Sequence, residues 1–344
     1  MSASTDGQTS PLRSAGARAL SAVRSLATWR DYQFKNKTVL VTGGSRGLGL
    51  VMARMLAREG ARLAILARDP DELERARQEL SVLGAEVIAL SCDVTDRQDI
   101  ENAVRLAKDR LGRIDVLINN AGVIQVGPME TMTLADYEEA MKTHFWAPLH
   151  ATLAVLPDMR ERREGRIVNI ASIGGKVSVP HLLPYSASKF ALTGLSEGLR
   201  AELLKDNILV TTVCPGLMRT GSPRNAIFKG QHRAEYAWFA ISDSLPFTST
   251  SAESAAERIL KACRRGEAEV VITPQAKLAA RVAGVFPGFV ANVMGIVNAV
   301  LPGPGGVGAL RVRGEDSESA LAPSLLTVLG DKAAVRNNEV ASPG

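Results

Sequence analysis

Seven short apolar, β-branched runs separated by helix-length stretches constrain this chain more than any other feature. They fall at residues 38–42, 61–67, 86–90, 114–118, 166–170, 208–213 and 269–272. Between them, apolar residues recur three and four apart. Leu48, Val51, Met52, Met55 and Leu56 form one such stripe; Leu73, Ala76, Leu80 and Leu83 form another. Ile100, Ala103, Val104, Ala107 and Leu111 form a third. That spacing puts one apolar face on each helix. Strands alternating with helices of this length predict βαβ units. The expected fold class is α/β: a doubly wound, seven-stranded parallel sheet with helices on both faces, spanning residues 37–275.

The first run ends in Thr42–Gly49, TGGSRGLG, directly before the first helical stripe. Gly43 allows a tight turn, Gly47 a close approach of backbone to a ligand, and Gly49 close packing of helix on strand. The free N–H groups of the following helix then favour an anion. A glycine cluster by itself marks only a turn; after the first strand of a βαβ array it points to a dinucleotide. An NAD site ordinarily places an acid at the end of the second strand, for the ribose hydroxyl. That end reads Leu66-Ala67-Arg68, and Arg46 lies in the glycine turn. Two guanidiniums suit a 2′-phosphate, so the expected cofactor is NADP(H). The alternative is NAD(H), with Asp69 as the ribose acid.

Tyr185 and Lys189 stand four apart at the start of a helical stretch and so share a face. A phenol is a poor acid–base at neutral pH, but a neighbouring ammonium and an oxidised nicotinamide ring favour its phenolate. It can then exchange a proton with a ketone or alcohol. Ser172 closes the 166–170 run, where its hydroxyl can polarise a carbonyl oxygen. A Tyr–Lys pair at this spacing is ordinarily just a helix-surface pair; the order of the other parts gives it weight.

With these parts in order, the chain resembles the short-chain dehydrogenase/reductase family, in the TGxxxGxG and YxxxK subgroup that includes 3-oxoacyl carrier-protein reductases. The motifs that carry the resemblance are Thr42–Gly49, Asn119-Asn120-Ala121-Gly122, Ser172, Tyr185 with Lys189, and Cys214-Pro215-Gly216 with Thr220. They cover residues 37–275 and imply a Rossmann fold with an NADP(H)-linked carbonyl or secondary alcohol as substrate. Ser172, Tyr185 and Lys189 become the catalytic group. The resemblance sets Gly43, Ser45, Arg46, Gly47, Leu48, Gly49 and Arg68 along the cofactor. It adds Asp93 and Val94 at the adenine and Asn120 at a ribose, with Ala121 and Gly122 beside it. Lys189 and Tyr185 meet the nicotinamide ribose, and Pro215, Gly216, Met218 and Thr220 face the nicotinamide. The family's relay asparagine is replaced by His144. Two readings stand: a histidine in the proton relay, or a packed histidine with the relay rerouted. A cofactor-binding sensor or scaffold with little turnover is the alternative function, and His144 is the feature behind it.

Basic residues number 41 against 36 acidic, a net charge of +5, and aromatics are 4%. The basic residues are scattered without interleaved aromatics, which argues against nucleic acid as partner. Three cysteines and four histidines form no metal-ligand spacing, so no metal site is expected. An odd cysteine count without a framework suits a reducing, cytoplasmic setting. Residues 1–36 read as a flexible extension with one amphipathic turn at 20–29, or as a transit segment.

Residues 221–245 correspond to the family's lid and hold Phe228, Tyr236, Trp238 and Phe239. These aromatics either receive a hydrophobic substrate or simply pack the lid. Residues 276–344 form a C-terminal extension. Its stretch 282–310 has no charged residue, is flanked by Arg281 and Arg311, and is broken by prolines and glycines. It is a candidate for peripheral membrane contact; a subunit contact and a flap over the active site are the alternatives. From Arg313 onward the tail reads as polar and loosely ordered. The resemblance implies a homo-oligomer.

Overall fold

The computed structural model describes residues 32–246 and 248–340. The expectations for the extension before residue 32, including its amphipathic turn and its targeting alternative, lie outside the described residues.

All seven expected strands form. They are β1 (Thr38–Thr42), β2 (Arg62–Ala67), β3 (Val87–Ser91), β4 (Val116–Asn119), β5 (Gly165–Ile170), β6 (Ile208–Pro215) and β7 (Glu269–Ile272). Their order across the sheet is β7-β6-β5-β4-β1-β2-β3, and every pair is parallel. The chain reverses its winding direction beside β1, which opens a crevice at the carboxyl ends of β1 and β4.

The helices explain why these strands read as continuous apolar runs. On one face lie α1 (Gly47–Arg58), α2 (Pro70–Val82) and, after β6, α8 (Ala252–Arg265); Val39, Val41, Leu50, Leu56, Ile65 and Ile259 share their core. On the other lie α3 (Arg97–Leu111), α4 (Leu134–Met141), α5 (Ala147–Arg162) and α6 (Leu183–Leu203). There Leu40, Leu66, Ile100, Val104, Leu117 and Val155 pack together. Adjacent residues of β1 thus serve opposite cores, as alternation along a strand requires.

Asp69 and Asp96 cap α2 and α3 by accepting backbone N–H groups of the first turn. Between α4 and α5 the helix widens into a π-helical turn, Lys142–Trp146, which turns Thr143 and His144 into the protein.

The lid forms from a helical turn at Ser222–Asn225, a short strand at Ile227–Phe228 and α7 (His232–Ser244). Beyond β7, α9 (Pro274–Val285) and α10 (Pro287–Asn298) follow one another across Phe286, and α11 (Val328–Arg336) comes after them. No residue of α10 is buried. The reading of a loosely ordered tail after Arg313 is corrected. Ser317, Ala322, Ala333, Ala334 and Asn337 are buried, and the tail packs against the lid and the glycine turn. Composition misleads here because the tail is held through side-chain and backbone hydrogen bonds rather than an apolar stripe.

Candidate active site

The glycine turn has the geometry its sequence implies. Gly43 sits at φ +64° and Gly47 at φ +56°. A Cβ at Gly43 would lie 2.9 Å from the Ala121 Cα, and one at Gly49 would overlap the Gly43 carbonyl. Thr42 ties this turn to the Asn120 segment: its Oγ1 accepts the Asn120 and Ala121 N–H groups at 3.0 and 3.1 Å. Asn120 Nδ2 in turn donates to the Thr42 and Gly43 carbonyls. Two separate motifs thereby become one rigid floor, with Ser45, Leu48 and Gly49 buried around it.

A cleft of about 370 Å³ runs along this floor, lined by Arg46, Arg68, Gly122, Val123 and Ile124 and roofed by Asn225, Arg311, Arg313 and Glu339. Asp69 spends its carboxylate on the Asp71 and Glu72 N–H groups, both at 2.9 Å. Arg46 is held by Glu72 at 2.7 Å and Glu339 at 3.3 Å. Asp93 accepts the Thr95 N–H and hydroxyl just past β3, with Val94 buried beside it. A positive, glycine-floored cleft at the switch point fits a dinucleotide.

The end of β5 and the start of α6 bring Ser172, Tyr185 and Lys189 together. Ser172 follows β5, and its Oγ accepts the Gly174 N–H at 3.0 Å. The Ser172 hydroxyl keeps its proton for a further contact, and it lies near enough to the Tyr185 phenol to lower its pKa. Lys189, one turn along α6, lies 5.6 Å from the Tyr185 ring centroid and donates to the Ile170 carbonyl at 2.8 Å. Burial raises the Tyr185 phenol above its ordinary value, partly offset by the Ser172 hydrogen bond. Burial also brings the Lys189 amine down to about 7. In the protein alone, desolvation thus outweighs the attraction between ammonium and phenolate expected from spacing.

His144 packs edge-on against Tyr185, ring centroids 5.4 Å apart. Its Nε2 accepts the Val123 N–H at 3.1 Å, and its Nδ1 lies 2.8 Å from the Ser188 Oγ. Ser188 donates to the Tyr185 carbonyl at 2.9 Å. Burial, then the Lys189 charge, hold the imidazole well below its usual range. The ring is neutral, and the Val123 contact assigns its proton to Nδ1.

At the end of β6, Pro215 leads through Gly216 to Met218, whose N–H meets Asp243 Oδ1 at 3.2 Å, and to the buried Thr220. Phe228, Tyr236 and Phe239 pack on one another inside the lid. Trp238, Ile124, Val179 and Tyr185 line the edge of that cluster. Most of the lid aromatics therefore build the lid, and Trp238 is left partly buried at its edge against Phe239.

Sequence reasoning missed a buried polar chain behind the site. Asn119 donates to Asn169 at 2.8 Å, Asn169 to Ser196 at 3.0 Å, and Thr212 to Ser196 at 2.7 Å. It locks β4, β5, β6 and α6 together, with every member paired. Polar residues inside apolar strands were the available signal. It also missed Glu72, Asn337 and Glu339, whose distance in sequence from the glycine turn left no signal.

The family's sequence profile, described as short chain dehydrogenase, matches residues 37–227. A dehydrogenase/reductase SDR family protein 7-like of Anopheles gambiae is 36% identical over 249 residues, 71% of this chain and 77% of that protein. Dehydrogenase/reductase SDR family member 7B of Bos taurus is 32% identical over 267 residues, 76% of this chain and 81% of that one. The ketoacyl reductase HetN of Nostoc is 40% identical over 180 residues, 52% of this chain and 63% of its own. Among solved structures, a short-chain dehydrogenase from Streptomyces avermitilis superposes with TM-score 0.65 at 30% identity, covering 76% of this chain and 96% of that one. This chain belongs to the short-chain dehydrogenase family. It is an oxidoreductase of that family, whose members use NAD(H) or NADP(H) and act on small molecules.

Proposed function

We propose that the chain reduces a hydrophobic ketone, or oxidises the matching secondary alcohol, with NADP(H) as preferred cofactor. The observation that carries this reading is Tyr185 beside Ser172 and Lys189, in a fold whose glycine turn borders an arginine-lined cleft. Arg46 and Arg68 beside that cleft support a 2′-phosphate, and the commitment of Asp69 to its helix cap argues against it as ribose acid.

The glycine turn and Arg46 would bind the pyrophosphate and phosphate, Asn120 and Lys189 the riboses, and Pro215–Thr220 the nicotinamide edge. A bound nicotinamide supplies the hydride, and in its oxidised form a positive charge that favours phenolate. Tyr185 gives its proton to the carbonyl oxygen. Ser172, oriented by the Gly174 N–H it accepts, would turn its O–H to the same oxygen and stabilise the charge that develops there. Lys189 holds a ribose hydroxyl and raises the acidity of Tyr185 when charged.

Ile124, Val179 and Trp238, which with Tyr185 border the same apolar cluster, support an apolar substrate. The ketoacyl reductase relative suggests a 3-oxoacyl compound within that class. Oxidation of NADPH against NADH, followed over medium-chain 3-oxoacyl thioesters, cyclic ketones and aldehydes, tests the reading. Turnover with NADPH on the apolar ketones is the expected result; none on any carbonyl would defeat it. The sensor reading drew on His144, whose bonds to Val123 and Ser188 support a holding role instead.

Two associations belong to the same reading. No helix among the described residues is long and apolar enough to cross a membrane. The α9 and α10 helices nevertheless expose Val285, Phe286, Phe289 and Ile296, which supports peripheral contact with a lipid surface, with Arg281 on α9 as the flanking cation. Exposed Leu153 on α5 and Phe190 on α6 support a homo-oligomeric contact across those helices.

A further inference from the structure

The last residues of the described chain sit on the groups that would bind a nucleotide phosphate. The Gly47 N–H donates to the Asn337 carbonyl at 2.8 Å. Asn338 Nδ2 donates to the Ser45 carbonyl at 2.9 Å, and Asn337 Nδ2 to the Thr220 carbonyl at 3.3 Å. Glu339 pairs with Arg46 at 3.3 Å and accepts from Asn225 Nδ2 at 2.6 Å. Its Oε1 lies only 2.5 Å from where a Cβ on Gly47 would stand, and its side chain is 5% exposed. Ahead of this, Ala334 of α11 packs against Gly221. The segment therefore straps the glycine turn to the lid.

A peptide carbonyl and a carboxylate here make the contacts that phosphate oxygens make at a helix N-terminus and an arginine. The Gly47 N–H has one proton to donate, and Arg46 is already shared between Glu72 and Glu339. A phosphate brought to the same groups would stand against the Glu339 carboxylate, and two anions in a partly dry cleft repel. We propose that residues 337–339 are an intramolecular competitor for the nucleotide site, displaced when the cofactor enters. The inference rests on the nucleotide reading of the cleft.

The strap is built to leave. Its contacts are chiefly hydrogen bonds that water can replace, and few apolar side chains anchor it. Burial also raises the Glu339 carboxyl to about 7, a sign that its charge is held at a cost. Such a strap lowers apparent cofactor affinity by the fraction of molecules in which it is open.

Titration of NADPH and of NADH into the full chain, by cofactor fluorescence, tests this with Glu339→Ala and Glu339→Gln. Glu339→Ala should tighten binding about tenfold; Glu339→Gln, which keeps an acceptor for Asn225, should tighten it less. Unchanged affinity would overturn the proposal, and weaker binding would show a strap that clamps the cofactor instead of competing with it. Hydrogen exchange on the unaltered chain gives a second reading. Amides of 333–340 should exchange faster at saturating NADPH, and slower exchange contradicts displacement. Failure of every variant to bind either nucleotide would end the nucleotide reading itself, whereas equal binding by all ends only the strap.

Discussion

His144 Nε2 accepts the backbone N–H of Val123 at 3.1 Å, which fixes the ring as neutral and aims its remaining proton at Ser188. The bond joins the segment after Asn120 to the first turn of the helix that carries Tyr185. We propose that His144, at the position where the family's relay asparagine is expected, acts as a clamp. The expected consequence is that the pH profile of turnover has no limb from His144, since burial keeps its charge off throughout the working range. His144→Ala leaves the Val123 N–H without its acceptor and should cost about 1–3 kcal/mol in stability. Thermal melts alongside kcat at several pH values check both points. A limb near 6.5 that vanishes in the variant would restore the relay.

Cofactor choice turns on Arg68 and Arg46. Arg68→Ala should raise KM for NADPH by about tenfold, one lost charge-assisted contact, and leave KM for NADH nearly unchanged. Equal effects on both cofactors would remove Arg68 from the phosphate site.

Stability should follow a bowl-shaped dependence on pH. Burial raises the Asp243 carboxyl to about 7, despite the Met218 N–H it accepts. The folded chain then binds a proton that the unfolded chain has released between about 4 and 7, so stability falls as pH rises through that window. Glu339, raised to about 7 by burial, has the same sign. Lys189, brought down to about 7, has the opposite effect above it. There the unfolded chain still holds the proton, and stability rises from about 7 toward 10. Asp243→Asn should remove much of the fall and gain about 1 kcal/mol or more at pH 8. Melting temperatures of both proteins from pH 5 to 9 check this; parallel curves would contradict it.

Membrane contact through α9 and α10 is tested without threatening the fold, because Phe286 and Phe289 are more than half exposed. The chain should float with liposomes containing anionic lipid, and Phe286→Asp with Phe289→Asp should abolish flotation while leaving the melting temperature within about 1 °C. Flotation by the double variant would place the contact elsewhere.

The sheet was legible because its strands are buried on both faces and its helices on one, so that Val39, Leu40 and Val41 together with the Ile100–Leu111 stripe carry both periods. The catalytic group was legible because Ser172, Tyr185 and Lys189 are brought together by one strand end and one helix turn. The role of His144 was not, since it depends on a π-helical turn that rotates the ring toward Val123. The tail was misread for a different reason. Asn337, Asn338 and Glu339 are polar residues whose partners lie more than 100 positions away, and composition assigns such residues to solvent.

We propose that the Tyr185 hydroxyl delivers the proton that accompanies hydride transfer. Tyr185→Phe removes only that oxygen. It should keep NADPH binding within about threefold while lowering kcat by about 10²-fold or more. An unaltered kcat on the wild-type chain's best ketone would contradict the assignment.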